Sequence, residues 1–248
     1  MKMKTLTVVS AVVVGGLSAQ MAHAAVALDR TRVIYNGADK SMSLNIENKN
    51  KSLPYLAQSW LEDANGQKVT SPLTALPPIQ RLEPGAKSQV KLQSVPAAAH
   101  LLAQDKETLF YFNLREIPPK SNKPNTLQIA LQTRVKLFYR PEALAVDTSD
   151  KPFQESLTLT RTGDGYTVKN PTGYYVTLIN ATKGVNAPAA KDFKPVMVAP
   201  KSEASLGVNA NEVGDAPVLT YINDFGGRPK LVFSCSGSTC NVARAEKG

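Results

Sequence analysis

The sequence predicts an all-β fold of two β-sandwich domains. Three observations predict it. Short runs that alternate apolar and polar residues recur along the chain. Gly, Pro, Asn and Asp turn chemistry separates them. Helical periodicity is weak, apart from a turn or two around Ala97 to Gln104. Alternation at period two marks a strand with two unlike faces, and short strands spaced by turns stack as sandwiches. A composition shift over Asp147 to Pro152 reads as a linker between two β series. It divides the chain into residues 25–145 and 146–248.

The chain opens with Lys2 and Lys4, an apolar and small-residue stretch from Leu6 to Leu17, and the small-x-small triplet Ala22-His23-Ala24. Residues 1–24 therefore read as a secretory signal peptide, too short for a membrane span and flanked wrongly for one. Removal before Ala25 predicts an exported, soluble product with no membrane insertion.

The first β series follows. Ser41 to Glu47 alternates with Met42, Leu44 and Ile46 on one face, and Tyr55 to Leu61 carries the single Trp60. Pro77-Pro78 breaks the chain before Ile79 to Leu82, and Glu83-Pro84-Gly85 is a tight turn. Ser88 to Leu92 resumes the alternation, and Leu109 to Ile117 sets Phe110, Phe112 and Leu114 on one side. A polar, proline-rich loop, Pro118 to Asn125, leads into an unusually long alternating run, Leu127 to Pro141. That run predicts a single strand with Leu127, Ile129, Leu131, Val135 and Leu137 toward a core and Gln128, Gln132, Arg134 and Lys136 toward solvent.

The second β series comprises Ser156 to Arg161, a Gly163-Asp164-Gly165 turn, Tyr166 to Lys169, Tyr174 to Asn180, Val196 to Ala199, Val218 to Ile222 and Leu231 to Cys235. Gly226-Gly227 after Asp224-Phe225 reads as a hairpin turn, and Asn180-Ala181-Thr182 matches a glycosylation acceptor that is common by chance. The only cysteines are Cys235 and Cys240. In an oxidising compartment they are expected to form a disulfide that staples a terminal hairpin. Their spacing does not suit a two-residue redox motif.

Composition narrows the function classes. The formal charge is +9, of which Lys2 and Lys4 carry two units, yet no run of five basic residues exists. This argues against nucleic acid and for acidic or carboxylate-bearing partners. Of the two histidines, His23 leaves with the signal peptide and only His100 remains. A histidine-rich metal site cannot be built, and Gly-x-Ser-x-Gly, phosphate-loop and dinucleotide motifs are missing from the sequence. A non-enzymatic protein without cofactors is expected.

Several stretches carry a family resemblance. They are Leu28-Asp29-Arg30-Thr31-Arg32, Leu53-Pro54-Tyr55-Leu56-Ala57-Gln58, Gln80 to Ser88, Phe110-Tyr111-Phe112-Asn113-Leu114-Arg115-Glu116-Ile117-Pro118-Pro119, Leu127 to Pro141, and Tyr221-Ile222-Asn223-Asp224-Phe225-Gly226-Gly227-Arg228-Pro229. With these in order, the chain strongly resembles the PapD-type periplasmic chaperones of the chaperone–usher pilus pathway. The resemblance implies two immunoglobulin-like domains set as an L with a cleft between them, and a location in the periplasm. It implies that Arg32 and Lys136 hold the C-terminal carboxylate of a pilus subunit. It implies that Leu127, Ile129 and Leu131 project into a groove of that subunit, as a lent β-strand, rather than into a core of this chain.

Further implications are structural. Glu107, Arg140 and Asp224 match an interdomain ion network, and Cys235 and Cys240 match the second-domain disulfide. The short loop Pro118 to Asn125 fits members that serve rod-like pili, whereas the stretch Val208 to Asp215 departs from the family pattern by reading as longer. The implied partners are pilus subunits and an outer-membrane usher, with self-association possible when the chaperone is free. The rival readings are a structural or adhesive pilus subunit, which would normally be one incomplete sandwich, and an exported β-sandwich enzyme, which would need a histidine cluster.

Overall fold

The computed structural model describes residues 24–147 and 149–248. The expected signal peptide, apart from Ala24, lies outside the described residues. The first ten strands are β1 (Val26–Leu28), β2 (Arg32–Asn36), β3 (Ser41–Asn48), β4 (Tyr55–Asp63), β5 (Lys68–Val69), β6 (Leu73–Leu76), β7 (Ile79–Leu82), β8 (Lys87–Ser94), β9 (Thr108–Ile117) and β10 (Gln132–Arg140). A single-turn helix, α1 (Ala98–Leu101), precedes β9, where the sequence places its one helical signal.

Two sheets face each other. One runs β1-β3-β8-β6, and the other runs β2-β10-β9-β4-β5 with β7 also paired to β4. Leu44, Ile46, Val90 and Leu92 from the first sheet meet Leu61, Phe112, Leu114 and Leu137 from the second, all buried. Their spacing of two along each strand puts every one on the inner face. Glu83-Pro84-Gly85 turns as its chemistry predicts, with Gly85 at φ +69°, a backbone that residues bearing a Cβ rarely adopt.

The second domain holds β11 (Thr158–Thr162), β12 (Gly165–Asn170), β13 (Val176–Thr182), β14 (Val196–Val198), β15 (Ser202–Asn209), β16 (Val218–Ile222), β17 (Lys230–Ser236) and β18 (Thr239–Glu246). They form one continuous path, β14-β13-β16-β17-β18-β11-β12-β15. Its two ends come together, so the sheet folds over its own core of Leu159, Val168, Leu178, Leu219, Leu231 and Phe233. The sandwich is thus built from a single curled sheet. The stretch from Val208 onward forms the short helix α2 (Ala210–Val213), with Asn209 accepting from Asn211 N at 2.9 Å as its cap. Val213 is fully buried in the core.

The structure corrects the long strand. Regular pairing begins at Gln132, not Leu127. On one side the partner strand β9 ends at Ile117, and the following Pro118-Pro119 have no N–H to donate. The last link is Glu116 N donating to Leu131 O at 3.0 Å. On the other side β2 pairs in parallel with β10 only from Lys136 onward. Leu127 to Ala130 therefore have no sheet to join. Leu127 is 83% exposed and Ile129 62% exposed, against the core-facing expectation of simple alternation.

Cys235 and Cys240 are directly opposite on β17 and β18 and are bonded, around a two-residue turn in which Gly237 has φ +63°. Because the loop that the disulfide closes is so short, replacing both cysteines with serine should lower stability by only about 2 kcal/mol. Denaturant unfolding checks this; a loss of twice that size would show the bond to be more than a local staple.

Candidate functional site

The parallel pairing of β2 with β10 places Arg32 directly opposite Lys136. Both side chains leave the outer face of the sheet, because Val33 and Leu137 beside them take the inner one. Two cations 104 positions apart in the chain thus become neighbours, an arrangement set by register alone. Arg32 donates from Nη1 to the Ile222 carbonyl at 3.2 Å, and Lys136 Nζ lies 3.4 Å from Thr177 Oγ1. Ile222 and Thr177 belong to the second domain, so the pair sits where the two domains meet.

Among the described residues, neither cation takes part in an ion pair. Arg32 Nε is buried and has no hydrogen-bond partner. Burial disfavours charge on both groups and pushes both pKa values down; Lys136 is pushed further by the adjacent Arg32 charge. Two half-buried like charges with an unused donor form a receptor for an anion, most simply a planar carboxylate with one oxygen for each cation.

Beside this pair lies a second ionic cluster with its partners in place. Arg140 closes β10 and is 6% exposed. Its Nε donates to Glu107 Oε1 at 2.8 Å, and its Nη1 donates to Asp224 Oδ2 at 2.7 Å. Glu107 Oε2 accepts from Tyr175 N at 2.7 Å, while Glu107 N donates to the Gly173 carbonyl at 2.7 Å. Burial pushes the Glu107 carboxyl up, against the pull of Arg140, whereas Arg140 is held above its usual range because Asp224 and Glu107 outweigh its own burial. The short hydrogen bonds on the Glu107 carboxylate favour its ionised form.

The structure therefore brings Glu107, Arg140 and Asp224 together, and it brings Arg32 and Lys136 together. It leaves Leu127 and Ile129 standing in solvent, and Leu131 half-buried at the start of β10. Sequence reasoning missed the neutral partners that complete these sites. Thr177 and the Ile222 carbonyl face the cation pair. Tyr174 and Phe153 stack on each other at 4.0 Å, with the Arg140 guanidinium 5.0 Å and 5.7 Å from their centroids. Gly173 was also missed. A Cβ there would meet the Asp105 carbonyl at 2.9 Å and Leu144 Cδ1 at 2.8 Å, so the loops of the two domains approach closely only because that position is glycine. None of these residues carries a spacing signal.

Arg140→Ala should lower stability by about 3–5 kcal/mol, because it strands Glu107 as a buried, unpaired carboxylate. Gly173→Ala should weaken the same joint by sterics alone, without touching a charge. Chemical denaturation of both variants checks this, and wild-type stability in Arg140→Ala would show that the cluster bears no load.

Comparison with known proteins places the chain in a family. The family described as "Pili and flagellar-assembly chaperone, PapD N-terminal domain" matches residues 25–145, and "Pili assembly chaperone PapD, C-terminal domain" matches residues 152–233. The chain is 53% identical over 221 residues to the probable fimbrial chaperone YfcS of Escherichia coli K12, covering 89% of this chain and 87% of that one. It is 51% identical over 225 residues to the chaperone protein PapD of Escherichia coli, covering 90% and 92%. Among solved structures, Salmonella enterica SafA pilin in complex with the SafB chaperone holds a chain that superposes with a TM-score of 0.66 at 27% identity, over 84% of this chain and 94% of that one.

Proposed function

The chain belongs to the PapD family of pilus-assembly chaperones, and on that premise we propose that it captures pilus subunits at the Arg32–Lys136 pair and passes them to an outer-membrane usher. The protein works in the periplasm, after removal of residues 1–24, as a non-enzymatic chaperone. Its two domains divide at residues 145 and 146. The observation that carries the proposal is the pair itself: two half-buried cations in register, without a counterion among the described residues. The terminal carboxylate of a pilus subunit has the charge and the planar shape that such a pair needs.

The exposed segment supplies the apolar part. A groove that lacks a strand takes Leu127, Ile129 and Leu131, three residues at a spacing of two. Burying them gains roughly 5–9 kcal/mol before ordering costs. Residues of β10 before Lys136 have no partner on the β2 side, so their backbone groups are open to a visiting strand. The carboxylate anchor nets less energy than the apolar contacts, because both charges lose water. Its role is register, since a slip of one residue would turn the polar face of the segment into the groove. Glu107, Arg140 and Asp224 act at a distance from the bound pilin by fixing the domain joint that keeps Thr177 and Ile222 beside the anchor.

Co-expression with a pilus subunit in the periplasm tests the two parts separately. Arg32→Ala and Lys136→Ala should abolish the recovered complex while the chaperone stays folded. Ile129→Asp should reduce recovery by roughly ten- to a hundredfold, from the loss of one buried side chain and the burial of a charge. Normal recovery with both anchor variants would refute the anchor, and normal recovery with Ile129→Asp would refute the groove contact. A peptide that reproduces the last residues of a pilin should bind less tightly as pH rises, starting below the ordinary lysine range, because Lys136 loses its proton early. Amidation of that peptide should abolish binding.

A further inference from the structure

We propose that the outer face of β4, β9 and β10 recognises a carboxylate-rich patch on the captured pilin, through Arg134, Arg115 and Lys68 mounted on the rings of Tyr111 and Trp60. This face acts in the capture of pilus subunits proposed above and depends on it.

The placement follows from register. Lys136, Arg134 and Gln132 lie on one side of β10 at a spacing of two, opposite Tyr111, Asn113 and Arg115 of β9. Glu62 and Trp60 of β4 continue the same rows across the sheet, opposite Tyr111 and Asn113. The stripe therefore begins at the anchor cation and runs without interruption across the sheet.

The cations on it are held, not loose. The Arg134 guanidinium carbon lies 3.4 Å from the Tyr111 ring centroid. Lys68 Nζ is 4.7 Å and the Arg115 guanidinium 5.2 Å from the Trp60 centroid. Such stacking fixes a long side chain without neutralising it. Gln132 Oε1 accepts from Arg115 Nη2 at 2.8 Å, which orients that guanidinium at no cost in charge.

The stripe has one acid, Glu62, and its oxygens are already engaged. Oε1 accepts from Trp60 Nε1 at 2.8 Å, and Oε2 accepts from Arg134 Nε at 2.9 Å. Glu62 thus works as a prop that turns the Arg134 fork outward, where the side chain is 40% exposed. A sheet face that only meets water ordinarily mixes both signs across its strands. Here three cations stand against one carboxylate, next to two further cations that have no ion-pair partner among the described residues, and long side chains are ordered before any partner arrives. Prior ordering and a net positive field are what a surface needs to steer and orient an acidic partner.

The test follows association of the chaperone with a purified, strand-deficient pilin by stopped flow at low and high salt. Arg115→Gln combined with Arg134→Gln should slow association about tenfold at low salt and flatten its salt dependence, with dissociation little changed. Arg134→Lys, which keeps the charge, should retain most of the rate. Lys68→Gln, at the edge of the sheet, provides a second variant should the double change loosen the fold. A peptide that reproduces the last residues of the pilin reads the anchor alone: it should bind the double variant as it binds wild type, and should be lost with Arg32→Ala. An unchanged rate and salt slope in the double variant and in Lys68→Gln would overturn the proposal, while the peptide result scores the anchor independently.

Discussion

The fold depends most on the ionic joint at Arg140. This one guanidinium binds Glu107 from the start of β9 and Asp224 from the turn between β16 and β17. It is the point at which two separate cores become one object. Each domain has its own buried cluster, and neither cluster reaches into the other. Around the joint, Phe138 packs on Tyr175 at 5.4 Å, Tyr174 Oη donates to the Leu144 carbonyl at 3.0 Å, and Gly226 lies against Thr31. A buried ion pair is a weak source of stability and a strict source of geometry, because a misplaced partner leaves a charge stranded. Strict geometry is what the anchor requires, since it is assembled from both sides of the boundary.

A single strand unifies these features. β10 carries Arg134, Lys136 and Arg140 on alternate positions, with Val135, Leu137 and Tyr139 buried between them. The odd positions fix the strand in its sandwich. The even positions are thereby free to specialise, from an exposed arginine through a half-buried lysine to a buried arginine. The gradient in burial along one strand parallels the roles proposed for it, from solvent-facing contact through anchoring to structural joint.

Much of this was legible in the sequence, for identifiable reasons. Alternation located the core of β3, β4, β8 and β9, and turn chemistry located Gly85, Gly163 and Gly226. Six strands escaped notice: β1, β2, β5 and β6 are five residues or shorter, and β15 and β18 are built from Ser, Ala, Gly, Asn, Arg and Glu as much as from Val and Leu. Such strands form because the sheet needs them, and their own preference is weak. Alternation alone erred on Leu127 to Leu131, because periodicity reports which faces differ and cannot say whether a neighbouring strand exists. The family resemblance anticipated that exposure, and it is the source of the roles proposed for Arg32 and Lys136. Thr177, Gly173 and the Tyr174–Phe153 stack had no signal, since their importance arises only when the second domain arrives beside the first.

The two prolines after β9 have a thermodynamic consequence. By denying hydrogen bonds to Leu127 to Ala130, they leave that segment without regular structure. A visiting groove must then freeze about 1–2 kcal/mol of backbone freedom per residue, roughly 4–8 kcal/mol over the four residues. That nearly cancels the gain from its three apolar side chains. In the proposed loan of this strand, the segment is therefore a shallow energetic well, deep enough to shield a nascent pilin and shallow enough to be vacated by a better-fitting strand without fuel. A chaperone with a prefolded strand in that place would grip harder and never let go.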